Sequence, residues 1–125
     1  MSSIGRLHVI TDVVVQDRYS HEELAEMACA GGADVVQLRD KLLARDAFAE
    51  TARRVAAICR RHGVRLIVND YADVAREVEA DGVHLGRTDL SIREARALLG
   101  PRAILGASTG TLEQAEQAER EGADY

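Results

Sequence analysis

Aromatic residues and positive charge are both scarce in this sequence. Phe, Trp and Tyr make up 3% of the 125 residues, tryptophan is absent, and 16 basic residues against 21 acidic ones give a net charge of −5. No basic stripe or aromatic platform interrupts that balance. Because nucleic-acid binding depends on such features, we expect no nucleic acid among the partners.

Long apolar runs and cysteines are also scarce. No run approaches the length of a membrane span or of a signal-peptide core, so we expect a cytoplasmic protein with no membrane partner. Cys29 and Cys59 lack metal-ligand spacing, and we interpret both as buried small hydrophobic residues in a reduced compartment. The hydrophobic content of 46% is nevertheless sufficient for one globular domain with a core.

Short apolar segments recur along the chain and predict strands. They are nearly all apolar and do not alternate, which is typical of strands covered on both faces. The predicted strands cover residues 7–11, 35–39, 65–69, 82–85 and 103–107.

Helical patterns occupy the intervals between these strands. Three of them begin with the S/T-x-x-E/Q capping box, at Ser20, Ser91 and Thr111, and glycines mark several of their ends. The second helix has the clearest apolar stripe, which we expect to pack on a sheet. Its members are Phe48, Ala52, Val55, Ala56 and Cys59.

Successive βα units predict a parallel sheet with right-handed crossovers. A doubly wound sheet fits the length, but the turn after Asp12 lacks the usual glycine-rich or acidic ligand loop. A (β/α)8 TIM barrel spreads polar groups over many strand ends, as this chain does, but needs roughly 200 to 250 residues. Residues 123–125 follow the helix-ending Gly122 and resemble the opening of another strand. We therefore predict an α/β fold, a TIM barrel represented by its first five βα units. Residues 1–125 would form a single partial domain truncated at the start of strand 6.

Polar side chains gather where the predicted strands end, and that edge is where parallel α/β folds place their chemistry. Arg39 and Lys41 follow the second strand, Asp70 follows the third, and Asp89 follows the fourth. Cations bind phosphate oxygens, whereas two carboxylates repel them unless a hard cation lies between. Mg²⁺ suits that role because it takes one or two carboxylates plus substrate phosphates. The pattern predicts a magnesium-diphosphate site.

Each of these residues also has a purely structural interpretation. Arg39 and Lys41 could form a solvated basic loop tip, and Asp70 could be the N-cap of the third helix. Asp89 could serve as a charge in its loop or near the next helix N-terminus. Ser108 offers a hydroxyl and a backbone amide to an anion, or simply a turn hydroxyl.

Three further residues near these strand ends have mainly structural interpretations. We interpret His84 as a hydrogen-bonded histidine in the barrel interior, in preference to a general base. Asp12 is expected to order its loop, although it could border the site. Arg87 is expected to form a surface ion pair.

Four motifs, in order at matching strand ends, resemble the thiamine-phosphate synthase family. They are Q-L-R-D-K at 37–41, N-D at 69–70, D-G-V-H-L-G-R-T-D at 81–89 and G-A-S at 106–108. The similarity covers nearly the whole chain and extends to G-A-D-Y at 122–125, which in the family leads into strand 6. Arg87 stands where the family often has Gln, and Gly110 where it often has His.

The resemblance implies a transferase that joins a hydroxymethylpyrimidine diphosphate to a thiazole phosphate, giving thiamine phosphate and diphosphate. Diphosphate leaves first in the family, and the thiazole nitrogen captures the pyrimidine-methylene cation, with Mg²⁺ as cofactor. It implies that Asp70 and Asp89 bind the metal and that Arg39, Lys41 and Asn69 are catalytic. The implied substrate-binding residues are Gln37, Arg39, Lys41, Asn69 and Ser108. Gln37 would read the aminopyrimidine, or else fill the upper layer of the barrel.

Two other functions remain open. A thiazole tautomerase-like isomerase shares the barrel but uses a His where Gly110 stands, and its members tend to lose the carboxylate found here as Asp89. A non-catalytic phosphate-binding fragment is the other, because the family completes its phosphate sites after strands 6, 7 and 8. Five strands would also leave two sheet edges unpaired, so we expect the fragment to self-associate or to be poorly soluble.

Overall fold

The computed structural model describes residues 4–125 as strands and helices in strict alternation. The elements are β1 His8–Thr11, α1 His21–Ala30, β2 Val35–Leu38, α2 Arg45–His62, β3 Arg65–Asn69, α3 Ala72–Glu77, β4 Gly82–Leu85, α4 Ile92–Leu99, β5 Ile104–Ala107 and α5 Leu112–Glu121. All five predicted strands are confirmed, and three of them are one residue shorter than predicted. Among residues 4–125, no helix combines the length and the apolar character that crossing a bilayer requires.

The five strands form one parallel sheet in the order β1-β2-β3-β4-β5. A doubly wound sheet reverses its strand order at a switch point, and this sheet does not, so the doubly wound alternative is wrong. Right-handed crossovers in unbroken order place every helix on the same face. The main core lies between that face and the helices and contains the buried Leu38, Val68 and Leu105.

The sheet is strongly curved toward the face that the helices leave free. The ring of His8, in β1, lies 5.4 Å from the ring of Tyr125, which follows α5 beside β5. In a flat sheet, β1 and β5 would be about 19 Å apart, since neighbouring strands are spaced by about 4.8 Å. The curvature brings the two sides of the sheet together, as in a barrel wall, and gives the sheet an inner face.

The chain after α5 hydrogen-bonds to β5 in the manner of a parallel neighbour. Tyr125 N donates to Leu105 O at 3.4 Å, and Ala107 N donates to Tyr125 O at 3.0 Å. Asp124 adds a side-chain link, because its Oδ2 accepts from Leu105 N at 2.9 Å. The sheet therefore continues beyond β5 along residues 124–125.

The predicted capping boxes are confirmed at two of three helices. Ser20 and Ser91 each accept from the third helical amide, and the Glu at that position accepts from the cap's own amide. At α5, Thr111 accepts from Gln114 N as predicted, but the Gln114 side chain accepts from Gly110 N at 2.7 Å. The Gln114 side chain therefore holds the loop before α5 instead of the backbone amide of the cap residue.

The apolar stripe of α2 is buried against the sheet as predicted. Phe48 is fully buried, and its ring packs on Tyr71 with the centroids 4.8 Å apart. Cys29 and Cys59 are free and buried, which confirms their interpretation as hydrophobic residues. Burial raises the pKa of Cys59 to about 12, so this thiol stays protonated at neutral pH.

Candidate active site at the carboxyl ends of the strands

The predicted site residues meet at one edge of the sheet because the strands are parallel and their ends are in register. Thr11 pairs with Leu38, and Asn69 pairs with His84. The segments that follow these strands therefore start side by side. Their first residues are Asp12, Arg39, Asp70 and Gly86.

Arg39 forms an ion pair with Asp12 across the first two strand ends. Its Nη1 donates to Asp12 Oδ2 at 2.5 Å. The other oxygen, Oδ1, accepts from the amides of Val14 and Val15 at 2.6 and 3.1 Å. These two amides hold the pKa of Asp12 below its usual range, and Arg39 adds to the effect. The loop-ordering role predicted for Asp12 is confirmed, and the same side chain also borders the site.

Lys41 forms an ion pair with Asp70 and joins the loops after β2 and β3. Asp70 has a left-handed backbone, with φ 69°, which is uncommon for a residue other than glycine. The N-cap of α3 is Tyr71 and has no side-chain cap bond. The N-cap interpretation of Asp70 is therefore wrong, because the unusual backbone directs its carboxylate to Lys41 instead.

Asp89 faces Asp70 across Gly86. Its Oδ2 accepts from Gly86 N at 2.7 Å. A Cβ atom built on Gly86 would lie 3.0 Å from Asp89 Oδ2 and 4.0 Å from Asp70 Oδ1, so one small group there would touch both carboxylates. Burial raises the pKa of Asp89, and the Asp70 carboxylate raises it further against the opposing effect of the Gly86 amide. The charge of Lys41 also opposes the shift, so the two carboxylates share one neighbouring cation.

The donor set fits Mg²⁺. Two carboxylates face one small space, and within residues 4–125 no group of three or more His, Cys, Asp or Glu side chains could hold a metal ion. Mg²⁺ commonly takes one or two carboxylates and fills its octahedron with water and substrate phosphates, unlike metals held in all-protein cages. A binding mode of that kind would need the anion of the substrate as well.

Gln37 and Asn69 lie side by side on the inner face of the sheet, and both are buried. In one orientation of its amide, Asn69 donates to Gln37 Oε1 at 3.3 Å. In the flipped orientation, the same nitrogen donates to both Asp70 oxygens at 3.2 Å. The Asn69 carboxamide therefore lies between Gln37 and Asp70 and donates to one or the other according to its orientation.

His84 is hydrogen-bonded inside the curved sheet, as predicted. Its Nε2 lies 2.8 Å from Ser108 Oγ, and its Nδ1 lies 3.2 Å from the Tyr125 hydroxyl. Burial lowers the pKa of His84, although the charge of Asp70 opposes this shift. The amide of Ser108 donates to Leu85 O at 3.0 Å. The expectation that this amide is available to an anion is therefore wrong, and the hydroxyl that could still bind an anion also contacts His84.

Arg87 makes no ion pair within the part of the chain that the structure describes, contrary to the expectation of a surface pair. It lines instead a cavity of about 550 Å³ between α4 and α5. Asp89, Ser108 and Thr109 also line this cavity. The cavity therefore reaches Asp89, one of the two facing carboxylates.

Sequence reasoning missed a buried polar network behind the site, formed by Thr11, His21 and Asp40. Burial alone would raise the pKa of Asp40, but hydrogen bonds from His21 and from the amides of Leu43 and Leu42 hold it below its usual range. The available signal was a charged residue between Arg39 and Lys41 that the diphosphate interpretation did not use.

Comparisons with known proteins find similar sequences over nearly the whole chain. The family described as thiamine monophosphate synthase matches residues 7–125. The thiamine-phosphate synthase of Salinibacter ruber is 44% identical over 123 residues, covering 98% of this chain and 54% of the relative. That of Shouchella clausii is 46% identical over 120 residues, covering 96% and 57%.

A solved structure is similar too. Thiamine phosphate pyrophosphorylase from Pyrococcus furiosus superposes with a TM-score of 0.86 at 37% identity, covering 96% of this chain and 57% of that one. The chain thus spans about half the length of the curated relatives that it matches. The architecture is that of a TIM-barrel-like α/β fold.

Proposed function

The chain belongs to the thiamine monophosphate synthase family, and we propose that it provides the diphosphate half of a thiamine-phosphate synthase active site. The proposed reaction joins a hydroxymethylpyrimidine diphosphate to a thiazole phosphate. The bond between the pyrimidine methylene and the diphosphate oxygen breaks, and its electron pair leaves with diphosphate. The thiazole nitrogen then supplies the pair that forms the new bond to the methylene.

The observation that supports this proposal most strongly is the pairing of opposite charges at one edge of the sheet. Arg39 and Lys41 reach Asp12 and Asp70 from the loop between them. Each cation is held by a carboxylate, so both positive groups are fixed at the edge of the sheet where Asp70 and Asp89 lie, and charged donors of this kind bind phosphate oxygens strongly. Fixed cations of this kind stabilise negative charge as it develops on a leaving group.

We assign roles to the remaining residues by their position. The carboxamides of Gln37 and Asn69 lie on the inner face, where they would bind the aminopyrimidine, with Asn69 also next to the leaving group. Ser108 would offer its hydroxyl to a phosphate oxygen. Asp70 and Asp89 would hold Mg²⁺, and the bound ion would neutralise diphosphate oxygens as they depart.

The chain is proposed to be a partial barrel, with a single domain of five βα units followed by the start of strand 6. The parallel hydrogen bonds of residues 124–125 to β5 support this interpretation. The family's remaining phosphate loops would lie on later units, so we expect little turnover from these 125 residues alone. Small-molecule substrates are the only partners proposed, apart from other copies of the chain.

Self-association would follow from the unpaired edge of β1. Ile10 lies in β1 and Leu7 directly precedes the strand, and both side chains are about half exposed. An unpaired apolar strand edge favours pairing with another chain. Size-exclusion chromatography with light scattering should show dimers or larger species, and a stable monomer at high concentration would contradict this expectation.

A tautomerase-like isomerase and a non-catalytic phosphate-binding fragment are the alternative functions. The Asp70 and Asp89 pair favours the synthase over the isomerase, because an isomerase that releases no diphosphate has no use for a magnesium bridge. A fragment that binds diphosphate tightly but yields no turnover when combined with the missing units would favour the non-catalytic role.

Calorimetry with inorganic diphosphate, with and without Mg²⁺, tests the proposed site. We expect binding that depends on Mg²⁺, and a loss of that dependence in Asp70→Asn and Asp89→Asn, since neutral amides hold Mg²⁺ poorly. Asp46→Asn is the matched control for the loss of one negative charge, because Asp46 is 97% exposed in the first turn of α2. Equal diphosphate affinity with and without Mg²⁺ would remove the metal-bridge argument.

A further inference from the structure

Three buried polar side chains form a hydrogen-bonded network directly behind the proposed diphosphate site. His21 Nδ1 lies 2.7 Å from Thr11 Oγ1, and His21 Nε2 lies 2.8 Å from Asp40 Oδ2. Thr11, His21 and Asp40 are 0%, 5% and 8% exposed. Burying three polar side chains costs free energy unless each is hydrogen-bonded, so this network has a specific arrangement.

Asp40 connects this network to the cations of the site. It lies between Arg39 and Lys41 in the sequence, and its second oxygen, Oδ1, accepts from the amides of Leu42 and Leu43 at 2.8 and 2.9 Å. One carboxylate therefore closes the turn after Arg39 and ties it to α1. Arg39 and Lys41 therefore flank Asp40, whose position is fixed by hydrogen bonds to the residues beneath the site.

The other two members of the network are held by rigid elements. His21 is the first residue of α1 and directly follows Ser20, whose capping box is complete. Thr11 is the last residue of β1 and directly precedes Asp12, the partner of Arg39. The network thus fixes Asp40 beside Arg39 and Thr11 beside Asp12.

We propose that Thr11, His21 and Asp40 form a positioning network that holds Arg39 and Lys41 in place to bind the diphosphate anion. The inference rests on the proposed function. None of the three side chains is exposed enough to bind the anion itself, so they act through their neighbours. Preorganised cations bind an anion more tightly than mobile ones because less conformational entropy is lost on binding.

His21 is the residue whose loss tests the network most directly. In His21→Ala, the Asp40 carboxylate would lose its buried partner and turn toward water, which releases the amides of Leu42 and Leu43. Glutamine at position 21 still offers an N–H to Asp40. His62 gives a matched control, because its Nε2 contacts Glu26 Oε2 at the same 2.8 Å, on the helix pair away from the site.

The experiment measures diphosphate affinity in Mg²⁺ by calorimetry, together with amide hydrogen exchange at Leu42 and Leu43. We expect His21→Ala to raise Kd on the order of tenfold, His21→Gln to raise it less than His21→Ala does, and His62→Ala to stay within about twofold of the wild type. Exchange at Leu42 and Leu43 should accelerate in His21→Ala only. Thr11→Val, which removes the hydroxyl that orients His21, should also raise Kd. This variant replaces His21→Ala as the test if His21→Ala does not unfold cooperatively.

Wild-type Kd in both His21→Ala and Thr11→Val would overturn the inference. A purely structural role would lower the melting temperature of the folded variants without changing diphosphate affinity, and that result would overturn it too. A wild-type chain that binds no diphosphate would instead refute the proposed function. Amide exchange at Leu42 and Leu43 would then show whether His21 still holds the turn after Arg39. Unchanged exchange in His21→Ala would refute this positioning role of His21.

Discussion

Replacing Gly86 by alanine should weaken magnesium-dependent diphosphate binding while leaving the chain folded. The added Cβ would lie 3.0 Å from Asp89 Oδ2 and 4.0 Å from Asp70 Oδ1. Ordinary van der Waals contact begins at 3.4 Å, so the Asp89 carboxylate must move by a few tenths of an ångström. Gly86 does not have a positive φ, so alanine adds no backbone strain at this position.

The size of the effect follows from the geometry that Mg²⁺ requires. Its ligands lie at about 2.0 to 2.1 Å in a near-ideal octahedron, so a displacement of a few tenths of an ångström is large. Asp89 Oδ2 also accepts from Gly86 N at 2.7 Å, and moving the carboxylate lengthens that bond. We expect the affinity for diphosphate in Mg²⁺ to fall on the order of tenfold, or about 1.4 kcal/mol.

Calorimetry in saturating Mg²⁺ on the wild type, Gly86→Ala and Gly110→Ala is the assay. Gly110 is the matched control, because a Cβ there would meet only Gln114 Oε1, at a comfortable 3.6 Å. Thermal unfolding of all three proteins shows whether the substitutions leave the fold intact. If Gly86→Ala binds magnesium and diphosphate as tightly as Gly110→Ala, the space between Asp70 and Asp89 does not hold the metal.

Two further predictions concern stability. Phe48→Ala should lower the free energy of unfolding by about 3 to 5 kcal/mol in urea titrations, because the fully buried ring packs on Tyr71, and a loss below about 1 kcal/mol would contradict that packing. The amides of Leu7 and Arg6 lower the pKa of Asp34. The contribution of the ionised Asp34 carboxylate to the free energy of unfolding should therefore be complete above about pH 5 and decline as pH falls through about 3.9. Urea titrations of Asp34→Asn against the wild type should therefore differ at pH 7 and converge at low pH, and a constant difference would argue against the ionised contact.

Local signals in the sequence were sufficient to predict the secondary structure of this chain. The five strands, the capping boxes at Ser20 and Ser91, and the buried stripe that begins at Phe48 all depend on residues a few positions apart. Helix caps and apolar periodicity act over such distances, so one sequence carries them completely. The motifs at the strand ends were equally local, and they led to the family that the comparisons show.

Predictions about side-chain partners were less successful, because a partner can be far away in the sequence. Asp70 had a local interpretation as an N-cap, but its carboxylate pairs with Lys41, 29 residues earlier. Arg39 pairs with Asp12 over 27 residues, and His21 pairs with Asp40 over 19. No local pattern indicates which of several nearby charges will meet.

The sequence by itself thus determined the elements, their order and the edge of the sheet at which polar groups gather. The tertiary structure alone decided how closely the curved sheet brings Tyr125 to His8 and which partner each charged side chain has. The physical reason is that ion pairs and buried hydrogen bonds depend on distances of a few ångströms between strand ends. Those distances are set by the register and curvature of the sheet, which all five strands determine together.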